Sequence, residues 1–193
     1  MQEKSKKWRT LFPIIGISII ACMACLFLQD ALAQVETTGR EAALPDPAVR
    51  APLKKSNVHL YFADRDNYFL TSEQRVLTHR ENPIDYARVV VEALIRGPQQ
   101  GLVRTMASTT KLRAVYITSG GTCYVDLSRN AGRDHPGGCN SEILTIYSVV
   151  NSLVLNVPEI KRVKMLIEGE EALTLAGHID LRTPLEANML IIR

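Results

Sequence analysis

Reactive side chains cluster in three places along the chain. Near the C-terminus, His178-Ile179-Asp180 sets an imidazole and a carboxylate two positions apart. On an extended segment such residues project to the same side, as a general base and its orienting carboxylate would. A hydrolase built on His178 and Asp180 would also need a nucleophile, and Ser128, Ser141 and Ser148 lie outside any Gly-x-Ser-x-Gly turn. Neither a phosphate-binding Gly-x-x-x-x-Gly-Lys-Ser/Thr loop nor His-Glu-x-x-His occurs. No catalytic residue is therefore expected. His178 and Asp180 are read as hydrogen-bonding anchors of a last strand, beside Gly177, where the backbone can approach closely.

The second cluster is Asp134-His135-Pro136-Gly137-Gly138-Cys139. These residues lack the paired spacing of a zinc site, so the stretch reads as a turn that launches a helix, and neither metal nor cofactor is expected. The third group is the cysteines. Cys123 and Cys139 could close a disulfide contributing about 3 kcal/mol, with two buried free thiols as the other outcome. Cys22 and Cys25 have Cys-x-x-Cys spacing but sit within an apolar run, where packing or lipidation explains them better than redox chemistry.

That run, Leu11–Leu28, is eighteen residues without a charge. It follows the basic stretch Lys4, Lys6, Lys7 and Arg9, so it should enter a membrane with its flank in the cytoplasm and place the rest of the chain outside. Three fates compete: retention as an anchor, lipidation at Cys22 in the lipobox-like Ile19-Ile20-Ala21-Cys22, or cleavage after Ala31-Leu32-Ala33 and release. Residues 34–56, with Pro45, Pro47 and Pro52 and no apolar period, read as a tether. The whole chain of 193 residues is 46% apolar and 22% charged with net charge +3, which fits one globular domain and lacks the basic footprint of a nucleic-acid binder.

From Val58 onward the pattern is that of strands and helices. Val58–Phe62 is β-branched and aromatic and stops at Asp64-Arg65-Asp66-Asn67; Tyr68–Leu70 and Arg75–His79 offer a second extended region. A helix should start at Pro83, capped by Asn82, and stop at Gly97-Pro98, with Ile84, Ala87, Val91, Leu94 and Ile95 inward. Leu112–Thr118 and Thr122–Ser128 predict a hairpin. A second helix is expected over Ser141–Asn156, capped by Asn140, with Ile143, Ile146, Tyr147, Val150 and Val154 on one side. Val163–Glu168 reads as a strand, and Gly169-Glu170-Glu171 turns into Leu173-Thr174-Leu175. This order describes an α+β two-layer sandwich, with two helices on one face of a single, mainly antiparallel sheet.

The motifs within these elements carry a resemblance. Leu94-x-x-Gly97-Pro98 is followed by Gly101-Leu102, Tyr124-Val125-Asp126-Leu127-Ser128, and Gly137-Gly138-x-x-x-Glu142 leading into Tyr147-Ser148-x-x-Asn151-x-Leu153. Val163-x-x-Leu166-Ile167-x-Gly169, Leu175-Ala176-Gly177-His178-Ile179-Asp180-Leu181 and Pro184 complete the series. Over residues 57–185 the chain resembles the GerMN domain family, named for the sporulation and spore germination lipoprotein GerM. The resemblance implies an extracytoplasmic α+β module similar to ring-building modules, often membrane- or lipid-anchored, with no established enzymatic activity. It also implies a scaffold role through an envelope protein partner or self-association. The family motif includes Gly97, Pro98, Tyr124, Asp126, Gly137, Gly138, Glu142, Tyr147, Asn151, Gly177, His178 and Asp180, which are expected to be structural. GerM carries two such domains and this chain one, which favours a general envelope role over a spore-specific one. The expected plan is a signal or anchor (1–33), a linker (34–56), the domain (57–185) and a tail (186–193). Binding of a cell-wall glycan or peptide is the alternative class, and a hydrolase using His178 and Asp180 the next.

Overall fold

The computed structural model describes residues 54–193. The expected anchor or signal segment, the lipobox at Cys22 and nearly all of the linker lie outside the described residues. Among the described residues no helix is long and apolar enough to cross a membrane.

Strands β1 (Lys55–Ala63) and β2 (Leu70–Thr78) form an antiparallel hairpin in unbroken register from Lys55↔Thr78 to Ala63↔Leu70. The two expected fragments of β2 are thus one nine-residue strand. Glu73 hid it: the carboxylate is fully buried at a position where alternation would place an apolar residue, and it accepts from the N–H groups of Gln99 and Gln100 and pairs with Arg75.

Helix α1 (Pro83–Arg96) starts as its sequence dictates, with Asn82 Oδ1 accepting the Ile84 N–H at 2.9 Å. It ends at Gly97, whose φ of 88° suits a residue without Cβ. Its last carbonyls are answered by arginines: Arg104 donates to Ile95 O and Arg96 O at 2.5 and 2.7 Å, and Arg75 to Gly97 O at 2.9 Å.

Strands β3 (Leu112–Ile117) and β4 (Thr122–Leu127) form the expected hairpin; β5 (Arg162–Ile167) joins β4 in parallel, and the short β6 (Glu170–Glu171) pairs antiparallel with β5. Between β4 and β5 run α2 (Asn130–Arg133) and α3 (Cys139–Val154). Helix α3 begins two residues earlier than expected. Gly138, not Asn140, occupies its cap position, and Asn140 donates instead to the Asn67 carbonyl. Leu173–Leu175 is not a strand.

The fold is α+β as expected, but its strands divide into two sheets, β1-β2 and β3-β4-β5-β6. The reason is at the outer edge of β1, where helix side chains stand in for a neighbouring strand. Ser152 Oγ accepts from Tyr61 N–H and Ser148 Oγ donates to Tyr61 O; Asn156 exchanges two hydrogen bonds with the His59 backbone; Val103 exchanges two with Ala63. With the outward N–H and C=O groups of His59, Tyr61 and Ala63 satisfied, this stretch of β1 cannot merge with the larger sheet. Phe62, Leu94, Leu127, Ile146, Leu153 and Met165 are among the largest fully buried residues of the core between these elements.

Candidate functional site

The motif residues meet at the start of α3. Glu142 lies in its first turn, and its carboxylate is fully buried. Oε1 accepts from the N–H groups of Leu175 (3.0 Å), Ala176 (2.9 Å) and Ile179 (3.3 Å). Oε2 accepts from His178 N–H (2.9 Å) and meets His178 Nδ1 at 3.0 Å. Burial alone would raise this carboxyl's pKa, but the N–H groups of Ala176, Ile179 and His178, with the His178 ring, outweigh it and hold the group below its ordinary value. Glu142 is therefore an ionised clamp that shapes residues 175–179 from within.

The pair considered for hydrolysis does not form. Asp180 turns to Arg182, whose guanidinium and backbone N–H bind its carboxylate and lower its pKa to about 2. The carboxylate partner of His178 is Glu142, and neither His178 nor Asp180 belongs to a strand.

His135 belongs to a second structural network. Its Nδ1 accepts the Gly137 N–H at 3.0 Å, which assigns the ring proton to Nε2, 3.0 Å from Thr145 Oγ1. Thr145 bonds Thr105 O, and the Thr105 hydroxyl reaches Ser148. Burial holds the His135 pKa below 6.5; the Ser141 backbone and Glu142 oppose this, and His178 adds to it. The unfolded chain takes up the proton first, so this contribution to stability is complete above pH 6.5 and is lost as pH falls through the lowered folded value. Unfolding measured at pH values below 6.5 but above 4.5, where Glu142 stays ionised, should show this decline, and His135→Asn should flatten it.

Among the described residues Cys123 and Cys139 are both free. Cys123 is buried in the core face of β4, where burial pushes its thiol up to about 12, whereas Cys139 faces solvent at the start of α3. The disulfide considered for them is therefore not formed in this structure.

The other motif residues are distributed through the architecture. Asp126 accepts from Gly169 N–H at 2.8 Å and Arg113 Nε at 3.0 Å. Asn151 exchanges two hydrogen bonds with the Asn188 backbone, and Tyr147 is partly buried against the core. Gly97 and Pro98 close α1, Gly137 and Gly138 launch α3 with φ of 82° and 88°, and Tyr124 projects from the helix-free face of the larger sheet. A cleft of about 370 Å³ opens beside the start of α3, lined by Ala63, Val103, Met106, Ser141, Leu144 and Thr145 among others.

Two networks escaped sequence reasoning. Glu73–Arg75 carried no detectable signal. Ser148, Ser152 and Asn156 did: polar residues at four-residue intervals along the second half of α3 and the turn after it mark one shared face.

Gly132 shows how closely these parts are fitted. A Cβ there would lie 2.4 Å from the Leu175 carbonyl oxygen, on the loop that Glu142 holds. Gly132→Ala should lower stability by about 1–3 kcal/mol in urea unfolding, since backbone rather than a flexible side chain must move.

Such a chain is an α+β module whose motif side chains fasten loops to helices and strands. The family model described as sporulation and spore germination, Germane, matches residues 59–173, more than half of the sequence, and the chain belongs to that family. Its fold is shared with the first GerMN domain of the sporulation protein GerM from Bacillus subtilis, at 18% identity and TM-score 0.53 over 70% of this chain and 98% of that one. The tandem GerMN domains of the same protein match at 18% identity and TM-score 0.53, over 69% of this chain and 46% of theirs, so this chain spans about half of the pair. A candidate lipoprotein from Clostridium perfringens matches at 21% identity and TM-score 0.51, over 68% of this chain and 87% of that one. No curated protein matches.

Proposed function

We propose that the chain is a non-enzymatic interaction module of the bacterial envelope, tethered outside the cytoplasm by its N-terminal segment and acting through protein contacts. The observation that carries this reading is the engagement of the motif's polar groups: Glu142, Asp126 and Asn151 are each occupied by backbone groups. An ionised carboxylate filled by N–H donors has no proton to transfer and no free lone pair directed at a substrate. Family membership and the fold shared with GerM and with the clostridial candidate lipoprotein support an envelope location. On this reading residues 1–33 deliver or anchor the chain, 34–56 hold it off the membrane and 57–185 make the contacts. Retention, lipidation at Cys22 and cleavage after Ala33 all place the domain on the same side.

The test is crosslinking in cells followed by purification of the tagged full-length protein from its host's membranes. A stoichiometric protein partner or crosslinked multimers is the expected result; a clean monomer alone contradicts it. The second reading, a glycan-binding domain, draws on Tyr116, which is 58% exposed and directly opposite Tyr124 on the helix-free sheet face. That reading requires the purified protein to pellet with peptidoglycan in the absence of any partner.

A further inference from the structure

The two edges of the β1-β2 hairpin are treated differently by the rest of the molecule. The register and the outward bonds of His59, Tyr61 and Ala63 show that odd-numbered residues of β1 direct their backbone groups away from β2. By the alternation of an antiparallel ladder, the even-numbered residues of β2 direct theirs away from β1. At Leu70 this outer edge already receives backbone: Leu70 O accepts the Arg193 N–H at 2.8 Å, and Leu70 pairs in parallel with Ile192. Beyond that point, nothing among the described residues bonds the outward N–H and C=O groups of Ser72, Gln74 and Val76. All three residues are exposed, Val76 to 62%.

An open edge is ordinarily blunted by proline, lysine or a bulge. Strand β2, Leu-Thr-Ser-Glu-Gln-Arg-Val-Leu-Thr, contains no proline or lysine and its register is unbroken; its inward-pointing charges, Glu73 and Arg75, which can also guard an edge, neutralise each other inside the fold. Its sequence is also self-complementary about Gln74. If two copies of β2 run antiparallel with Gln74 opposite Gln74, then Ser72 faces Val76, and Glu73 of each copy faces Arg75 of the other. The outward-directed residues are the ones this register brings together, so Gln74 pairs with its own copy and Ser72 with Val76 through six backbone hydrogen bonds. No like charges oppose in this register, and Glu73 and Arg75 stay paired with each other inside each copy. Sliding one strand by two residues moves the centre to Glu73 or Arg75 and sets that charge against its own copy, and a four-residue slide, to centre on Ser72 or Val76, loses the Glu73–Arg75 match.

We propose that a second copy of this chain docks here, β2 against β2 over Ser72–Val76 about a two-fold axis at Gln74, the ladder ending where Ile192 and Arg193 already occupy the edge at Leu70, so that the two hairpins join in one four-stranded antiparallel sheet. This deepens the reading of the domain as an interaction module by naming one contact it makes. Both partners present the same patch, so the assembly closes as a dimer.

The test uses full-length protein in its host's membranes, with Cys25 and Cys139 replaced by serine, Cys22 kept because it is the lipidation candidate, and the same protein without an added cysteine as the background. Gln74→Cys should shift the chain to a disulfide-linked dimer on oxidation, because paired Cα atoms in this register lie about 5.5 Å apart, within disulfide reach. Tyr116→Cys, on the other sheet, should not. Coexpressed Ser72→Cys and Val76→Cys chains should form the mixed dimer. Adding Gln74→Pro to both should abolish it, since the lost N–H points outward, while thermal unfolding of the domain is retained. Absence of the Gln74→Cys dimer from a folded protein overturns the proposal, as does a mixed dimer that survives Gln74→Pro. Crosslinking of Gln74→Cys to a different protein also overturns it and assigns the edge to another partner's strand. If a stoichiometric partner copurifies while no self-crosslink forms, the pairing fails and the interaction-module reading stands.

Discussion

Glu142→Ala is expected to lower the stability of the domain by about 3–5 kcal/mol, the range for stranding buried partners of a charged group. The carboxylate is fully buried and is the acceptor for four backbone N–H groups between Leu175 and Ile179. Alanine removes every one of those bonds and leaves four backbone N–H groups without their acceptor. Glu142→Gln keeps the shape but turns an amide donor toward other donors, so it should recover only part of the loss. His178→Ala should cost far less, because that side chain is 44% exposed and supplies one bond of the set. The same clamp sets an acid limit. Its contribution is present above the ordinary carboxyl value of 4.5 and is lost as pH falls through the lowered folded value. Urea unfolding of the three variants decides the matter: a loss below about 1 kcal/mol for Glu142→Ala would remove the structural basis assigned to this motif.

Glu73→Ala should have an effect of similar size, about 3–5 kcal/mol, because it breaks a buried ion pair from one side. Glu73 is fully buried and Arg75 is 8% exposed, and Glu73 also receives the Gln99 and Gln100 N–H groups at 2.8 and 2.7 Å. Removing it strands the Arg75 guanidinium and frees the turn that follows α1. The double variant Glu73→Ala/Arg75→Ala should lose clearly less than the sum of the two single variants, since no lone charge is then left inside. Strict additivity in a thermal-unfolding cycle would show that the two groups act independently and would refute the pairing.

The parts of the fold legible in the sequence are those specified by local chemistry. Asn82, Pro83 and Gly97 bound α1 because capping, a fixed φ and a left-handed stop are decided within a few residues. The β3–β4 hairpin and β5 followed from β-branched runs between turn residues. Strand β2 and the start of α3 were less legible for one reason. Glu73 and Gly138 take their places through partners far along the chain or through backbone geometry, and neither leaves a local pattern.

The candidate site divides along the same line. His178 and Asp180 stand two apart in sequence, which suggested a shared task, yet each is held by a different partner, Glu142 and Arg182. Cys123 and Cys139 were close enough in sequence to bond, but one faces the core and the other solvent.

By itself, the sequence determined the α+β class, the family, the order of the elements and an apolar N-terminal run suited to a membrane. These depend on composition, periodicity and short motifs, which act over a few neighbouring residues. Only the tertiary structure decided that the strands form two sheets, that Glu142 serves the 175–179 loop, and that β1 is sealed over His59–Ala63 while β2 stays open over Ser72–Val76. Each of those outcomes turns on which distant group reaches a buried or outward-facing polar atom, and hydrogen-bond satisfaction over such separations is settled only when the chain has folded.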